Sequence, residues 1–194
     1  MPSIRPLIFA LLLSGCATTA PLSQAPVAPY SENIGLSGRI NVHYVKNGSP
    51  ESVTAPFDWE QAGGRIDVTL KSPLGQTMAR INVTPESATL TQSDKVPRTA
   101  RDIDSLTAQT LGWSLPVSGL RDWLQGYATA ADGSRFAASP ANSQVTTRDG
   151  WRLHFVAWQD GNPAHPLPRR IDAERSATAT SDELSIHIVL DAKE

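Results

Sequence analysis

The sequence predicts an α+β fold in which about ten antiparallel strands curl around a shared apolar face and a two-helix insertion covers the open side. Three observations carry that expectation. Apolar residues alternate with period 2 from Leu36 to Val83 and again from Trp151 to Leu190. Turn signals, Asn47-Gly48 and Gly63-Gly64 among them, fall between the alternating runs. Between about residues 102 and 126 the period becomes helical. Strands that are joined by hairpins and apolar on one side hide that side by curling it inward.

The amino end belongs to no such pattern. Arg5, a short apolar run from Leu7 to Leu13 and the small residues Ser14 and Gly15 form an export signal over residues 1–15. The run is far shorter than the ~20 apolar residues that span a bilayer, and no later segment is longer. Cys16 is the only cysteine, so an internal disulfide is excluded. Leu13-Ser14-Gly15-Cys16 resembles a bacterial lipobox, which implies cleavage before Cys16 and lipid on its thioether and amino group. By the same resemblance Ala17, in place of an aspartate, implies export to the outer membrane. Residues 16–34 are rich in Pro, Ala, Ser and Thr and read as a lipidated N-terminus with a flexible linker. Stretched, that linker would reach roughly 60 Å from the lipid; as a coil, about 25 Å. Residues 35–194 form the folded domain.

In the first strand, Leu36, Gly38, Ile40, Val42 and Tyr44 share one face. Asn47-Gly48 turns the chain into a return strand that places Val53, Ala55, Phe57 and Trp59 on one side, with Pro56 marking an edge or a bulge. After Gly63-Gly64, Ile66, Val68 and Leu70 point inward. Ser72-Pro73-Leu74-Gly75 has the composition of a type I turn, with Leu74 at the third position facing water. Ala79, Ile81 and Val83 continue the inner face, followed by short strands near 88–91 and 95–99. Asp102 caps a helix with Ile103, Leu106 and Thr110 on one stripe and Gly112 at its end. Pro116 opens a second short helix, with Val117, Leu120 and Leu124 on a stripe and Gly126 beyond it. Strands resume near Ser143. In the next, Trp151, Leu153, Phe155 and Ala157 oppose Arg152, His154, Val156 and Trp158. RRIDAER follows three prolines, and Leu184, Ile186, Ile188 and Leu190 line the last strand.

Catalytic motifs are absent from the sequence: no metal-binding His spacing, no C-x-x-C, no phosphate-binding glycine loop and no G-x-S-x-G elbow. His43, His154 and His187 alternate with apolar residues and belong to the polar faces of their strands. The formal charge of −2, without a Lys/Arg cluster, excludes a nucleic-acid face. Neither an enzyme nor a cofactor or metal is expected.

Several landmarks occur in order: the lipobox, Leu36-x-Gly38-Arg39, Phe57-x-Trp59, Ser72-Pro73-Leu74-Gly75, Gly112-Trp113-x-Leu115-Pro116, Leu120-x-x-Trp123-Leu124-x-Gly126, Gly150-Trp151 and Leu167-Pro168. Together they resemble the LolB family, the outer-membrane receptors of bacterial lipoprotein sorting. The resemblance implies an incomplete, half-open antiparallel β-barrel of ten or eleven strands, with short helices covering a hydrophobic cavity. It implies acceptance of acylated lipoproteins from the periplasmic carrier LolA and their insertion into the outer membrane, by a lipid-anchored monomer facing the periplasm. The cavity is then expected to be lined by Ile40, Val42, Phe57, Trp59, Ile66 and Val68, together with Ile81, Leu106, Trp113, Leu153, Phe155 and Ile186. Pro73, Leu74 and Gly75 would form the turn that passes cargo to the membrane. Two other readings stay open at this point: a structural lipoprotein with a filled core, and a lipid hydrolase with a dispersed triad.

Overall fold

The computed structural model describes residues 22–46, 48–93, 95–111, 116–159, 161–177 and 183–192. The signal segment, Cys16, the hairpin residue Asn47, and Gly112, Trp113 and Leu115 lie outside them. A meander of six strands comes first: β1 (Ile34–Lys46), β2 (Ser49–Ala62), β3 (Arg65–Lys71), β4 (Thr77–Val83), β5 (Ala88–Gln92) and β6 (Arg98–Ala100). Helices α1 (Ile103–Leu111) and α2 (Val117–Trp123) follow, then a small hairpin of β7 (Tyr127–Thr129) and β8 (Arg135–Ala137). The chain ends with β9 (Gln144–Thr146), β10 (Arg152–Trp158), β11 (Pro168–Arg175) and β12 (Leu184–Leu190).

Ten strands form one antiparallel sheet in the order β6-β5-β4-β3-β2-β1-β12-β11-β10-β9, while β7 and β8 pair apart. Among the described residues β6 and β9 remain edges, so the sheet is not a closed barrel. The last strand joins the first in register, Val42 opposite Ile186 and Ile40 opposite Ile188, which brings both halves of the alternating sequence onto one apolar face. That face is the core. Trp59, Ile81, Leu153, Phe155, Ile171 and Ile186 are all buried there.

The helices obey their sequence signals. Asp102 accepts bonds from the Ser105 amide and hydroxyl, both at 2.8 Å, and so caps α1. Ile103 and Leu106 pack down, and α1 lies against β5 and β6. On α2 the stripe of Val117, Leu120 and, at its end, Leu124 is buried. Gly126, at φ 84°, then turns the chain as its amide donates to the Trp123 carbonyl at 2.9 Å.

Pro56 sits at a local edge, one of the two places expected of it: it pairs with Arg39 of β1, but β3 joins β2 only from Phe57, which leaves β2 open on that side. Three expectations need correcting. Trp158 belongs to the inner side: register shifts around Ala157 reverse the alternation, and the Trp158 ring stacks near Phe155 with centroids 6.3 Å apart. The β7–β8 hairpin, turned at Asp132-Gly133, extends the expected list of strands. Residues 22–33, finally, do not hang free as a linker.

They form an extended strap bound along the body. Val27 is buried and its amide donates to the Ala138 carbonyl at 2.9 Å. Tyr30 accepts bonds through its hydroxyl from Gln61 and Arg121, each at 3.0 Å, and Arg121 also pairs with Glu32 at 2.6 Å. With the strap docked, six Cα steps separate Cys16 from Leu22, a reach of about 20 Å.

Candidate functional site: a roofed apolar face

The inner face of the sheet and the underside of α2 almost meet. Between them lies a hollow of about 30 Å³ whose walls expose no polar surface. From the sheet come Ile40, Phe57, Trp59, Val68, Leu70, Ile81 and Ile188; from the helix, Val117, Leu120 and Leu124. The sequence dictates this meeting in two steps. Period-2 alternation puts the strand residues on one face, and 3.6-residue spacing puts the helical ones on one stripe. A void of this size has room for one or two water-sized groups, and its apolar walls offer a water no partner.

Of the residues expected to line a cavity, Ile40, Phe57, Trp59, Val68 and Ile81 do border the hollow. Val42, Ile66, Leu106, Leu153, Phe155 and Ile186 are buried in the surrounding core and do not reach it. Trp113 lies outside the described residues. The helix wall of Val117, Leu120 and Leu124 was legible only as a stripe, since a sequence does not say what a stripe packs on.

Leu124 has a second neighbourhood. It also borders a larger recess of about 240 Å³, formed with Gln125, Leu190 and the strap residues Ala28, Pro29 and Ser31. This recess has mixed polar and apolar walls and is bounded by the docked strap. Leu124 is therefore the partition between the dry hollow and a roomier, wetter one.

At the β3–β4 turn the Ser72 carbonyl accepts from the Gly75 amide at 2.9 Å, and the Ser72 amide donates to the Gln76 carbonyl at 2.8 Å. Gly75 takes φ 82°, which makes Pro73-Leu74-Gly75 a three-residue hairpin loop closed by a left-handed glycine. Pro73 presets its own φ. Leu74 stands on this rigid loop at 88% exposure, the highest of any large apolar residue among those described.

The charged groups of β10–β12 mostly face outward, with Arg175 the exception, its guanidinium 4.9 Å from the ring of buried Trp151. An ion cluster marks the outer face. There Arg170 and His187 converge on Asp172 at 3.0–3.1 Å, and His43 packs edge-on against His187. Burial of Asp172 opposes its ionisation, but the bonds from Arg170 and His187 outweigh that and hold its carboxyl below the ordinary range. In α2, burial pushes the Asp122 carboxyl up against the pull of Arg135 and Arg121. Among the described residues no group of three or more His, Cys, Asp or Glu side chains could hold a metal.

Fold and site thus define an open antiparallel sheet domain with an apolar, helix-roofed interior and an exposed leucine at one sheet end. A profile of the family "Outer membrane lipoprotein LolB" matches residues 32–192. The chain is 39% identical over 186 residues to the outer-membrane lipoprotein LolB of Cupriavidus taiwanensis, covering 93% of this chain and 91% of that one. It is 34% identical over 189 residues to the same-named protein of Ralstonia nicotianae, covering 93% and 90%. The chain belongs to the LolB family, and it is a lipid-anchored protein of the outer membrane. A solved LolA superfamily protein from Nitrosomonas europaea overlays with a TM-score of 0.45 at 6% identity, covering 87% of this chain and 89% of that one, a likeness too loose to argue from.

Proposed function

We propose that the chain is a receptor that takes acylated lipoproteins from a soluble periplasmic carrier, LolA, and releases them into the outer membrane. The sheet then acts as an incomplete barrel whose open side α1 and α2 cover, and the lipidated Cys16 holds it on the periplasmic face. The supporting observation is the dry contact between α2 and the inner face of the sheet. A ~16-carbon chain left in water costs on the order of 12 kcal/mol, at ~0.8 per methylene. An apolar interior that opens by displacing one short helix can take over that shielding. Weak, non-directional contacts suit cargo whose proteins vary while their acyl groups do not. No nucleotide or metal is needed if carrier, receptor and membrane hold the cargo progressively more tightly.

The hollow as it stands is far too small for an acyl chain, so this is the closed form, and binding requires α2 and Leu124 to move. Leu74, on its rigid loop, is the contact through which cargo passes into lipid. One leucine contributes about 1.5–3 kcal/mol on full burial, enough for transient contact beside a lasting anchor.

The same small volume favours a second reading, a structural outer-membrane lipoprotein whose interior is simply a core. One experiment separates them. The purified protein is mixed with LolA loaded with an acylated lipoprotein, and cargo is followed by co-purification. Transfer to this chain supports the receptor; cargo that stays with the carrier over any ratio of the two leaves the structural reading.

A further inference from the structure

The strap at residues 22–33 is bonded to the roof more than to the sheet. Among the described residues its partners Arg121, Gln125, Tyr127, Ala138 and Ala141 all fall between 121 and 141, the end of α2 and the β7–β8 hairpin beyond it. Val27 packs on the same stretch, where a Cβ on Gly126 would stand 2.5 Å from its Cγ1. Two bonds lead elsewhere: the Ser23 hydroxyl donates to the Pro163 carbonyl at 3.5 Å, and Gln61 of β2 donates to Tyr30.

That last bond makes the join. Gln61 is 2% exposed, and its Nε2 donates to the Tyr30 hydroxyl at 3.0 Å. The same hydroxyl accepts from Arg121 Nε of α2, also at 3.0 Å. One strap atom therefore bridges sheet and roof, whereas Val117, Leu120 and Leu124 meet the sheet through apolar contact. Three residues after Ser31 the chain enters β1 at Ile34, opposite Gln61, so the strap has little slack where it crosses the end of α2. If the strap rises with α2, buried Gln61 gives up its partner, and its Oε1 has none already. If the strap stays behind, the bonds of Gln125 to Ser31 and of Arg121 to Tyr30 and Glu32 break. Either route makes the docked strap a brake on opening.

We infer that residues 22–33 are a latch, bolted by the Tyr30 hydroxyl, whose release both frees α2 to admit an acyl chain and lengthens the tether to the lipidated Cys16. The inference rests on the receptor reading and adds to it a control built into the chain. Docked, the strap leaves six Cα steps from Cys16 to Leu22, about 20 Å; released as far as Ile34 it leaves eighteen, roughly 60 Å when stretched. Linkage makes the coupling reciprocal: cargo favours release by the factor by which release favours cargo. Redocking closes the roof and draws the domain back toward the lipid into which cargo leaves.

The test uses the full lipidated protein in phospholipid vesicles, supplied with excess carrier loaded with an acylated lipoprotein. Tyr30→Phe keeps the ring, which lies edge-on to Tyr127 and beneath Arg135, and removes only the bolt. Gln125→Ala loosens the latch from the roof side, and Gly38→Ala is a control that strains the sheet away from it. In the parent, loaded carrier should raise hydrogen exchange at 22–33 and 117–124 together while β12 stays protected. Tyr30→Phe and Gln125→Ala should exchange fast at 22–33 without cargo and empty the carrier at least about threefold faster, since more of the population is open, whereas Gly38→Ala should not. A dye at Glu86→Cys, the single free thiol once Cys16 is acylated, stands at the Ile34 end of the sheet. Its energy transfer to headgroup acceptors should be weaker in the two latch variants than in the parent. Exchange that rises at 117–124 with 22–33 protected, and variants that empty the carrier at the parent's rate, overturn the latch and leave the receptor standing. Slower emptying by Tyr30→Phe makes the strap a structural part and also overturns it. Faster emptying with unchanged energy transfer overturns the link to the tether. A carrier that stays loaded beside the parent protein overturns the receptor reading, and the latch with it.

Discussion

The side chain of Gln125 is bonded twice to the backbone of Ser31: its Oε1 accepts from the Ser31 amide at 2.9 Å, and its Nε2 donates to the Ser31 carbonyl at 3.1 Å. Gln125 follows α2 directly and is buried, so the strap is fastened to the roof of the apolar interior as one strand is fastened to another. Removing the amide strands the N–H and C=O of half-buried Ser31 together, each costing up to about 1–3 kcal/mol if water does not replace the bond. Gln125→Ala is expected to lower unfolding free energy by about 2 kcal/mol in urea titrations. It should also expose the segment around residues 22–33 to limited proteolysis under native conditions. Stability and cleavage unchanged from the parent protein would mean the two bonds are made as well by water.

Gly38 is held for space. A Cβ there would stand 2.4 Å from the Val189 carbonyl oxygen and 3.2 Å from the Phe57 ring, across both neighbouring strands at once. The obstacle on one side is backbone, which cannot rotate away. Gly38→Ala is therefore expected to cost about 1–3 kcal/mol, more than any propensity gain can offset. A thermal midpoint equal to the parent's would contradict it.

How far the sequence showed this fold depends on periodicity. Strands β1 to β4, β10 and β12 were legible because each buries one face, so Ile40, Phe57, Trp59 and Val68 could be placed on the inside from alternation alone. The strap was not legible. Extended chain that is bonded through its own backbone and through single side chains such as Gln125 and Arg121 leaves no repeat to read. The β7–β8 hairpin did carry an Asp132-Gly133 turn signal, but strands of three residues are too short to display alternation. Trp158 was misplaced because the register shifts on either side of Ala157 break the alternation from which its side was read. Within the candidate site the walls were legible and the volume was not, since a void is the residue of packing summed over seven strand positions and one helix.

On the outer face the pH dependence has a definite sign. The Asp172 carboxyl, its burial outweighed by its bonds to Arg170 and His187, is lower in the folded chain than in the unfolded one. Its contribution is therefore complete above the unfolded value of about 3.9 and is lost as pH falls through the lower folded value. Asp172→Asn is expected to lose about 1 kcal/mol at pH 7, a figure discounted for the half-exposed Arg170. That deficit should shrink below about pH 4 as the parent loses the same interaction. Urea titrations across pH 3–7 read both arms, and a deficit that persists undiminished at pH 3 would put the effect elsewhere.

The Leu74 turn and the fold are separable. No packing holds Leu74, so Leu74→Glu is expected to change unfolding free energy by no more than about 0.5 kcal/mol. The same variant should accept cargo from the carrier but fail to pass it to vesicles. A variant that delivers cargo at the parent's rate would reduce the turn to a connection between strands.

Leu124 gives the sharpest test of whether the interior is a receptor or a core, because it alone on the helix side borders both the 30 Å³ hollow and the 240 Å³ recess. Truncating it to alanine merges the two spaces. As a core residue it should cost about 2–4 kcal/mol, since the helix cannot collapse onto the sheet to fill the gap. That loss is expected under either reading and decides nothing alone. What differs is the response to cargo. If acyl chains enter by displacing α2, loaded carrier should increase hydrogen exchange at residues 117–124 in the parent protein while β1, β2 and β12 stay protected. Leu124→Ala, with part of the displacement already made, should take up cargo at least as readily despite its lower stability. A core has no such compensation. Uptake that falls in step with stability, with exchange at α2 unmoved by cargo, would return the interior to a structural role.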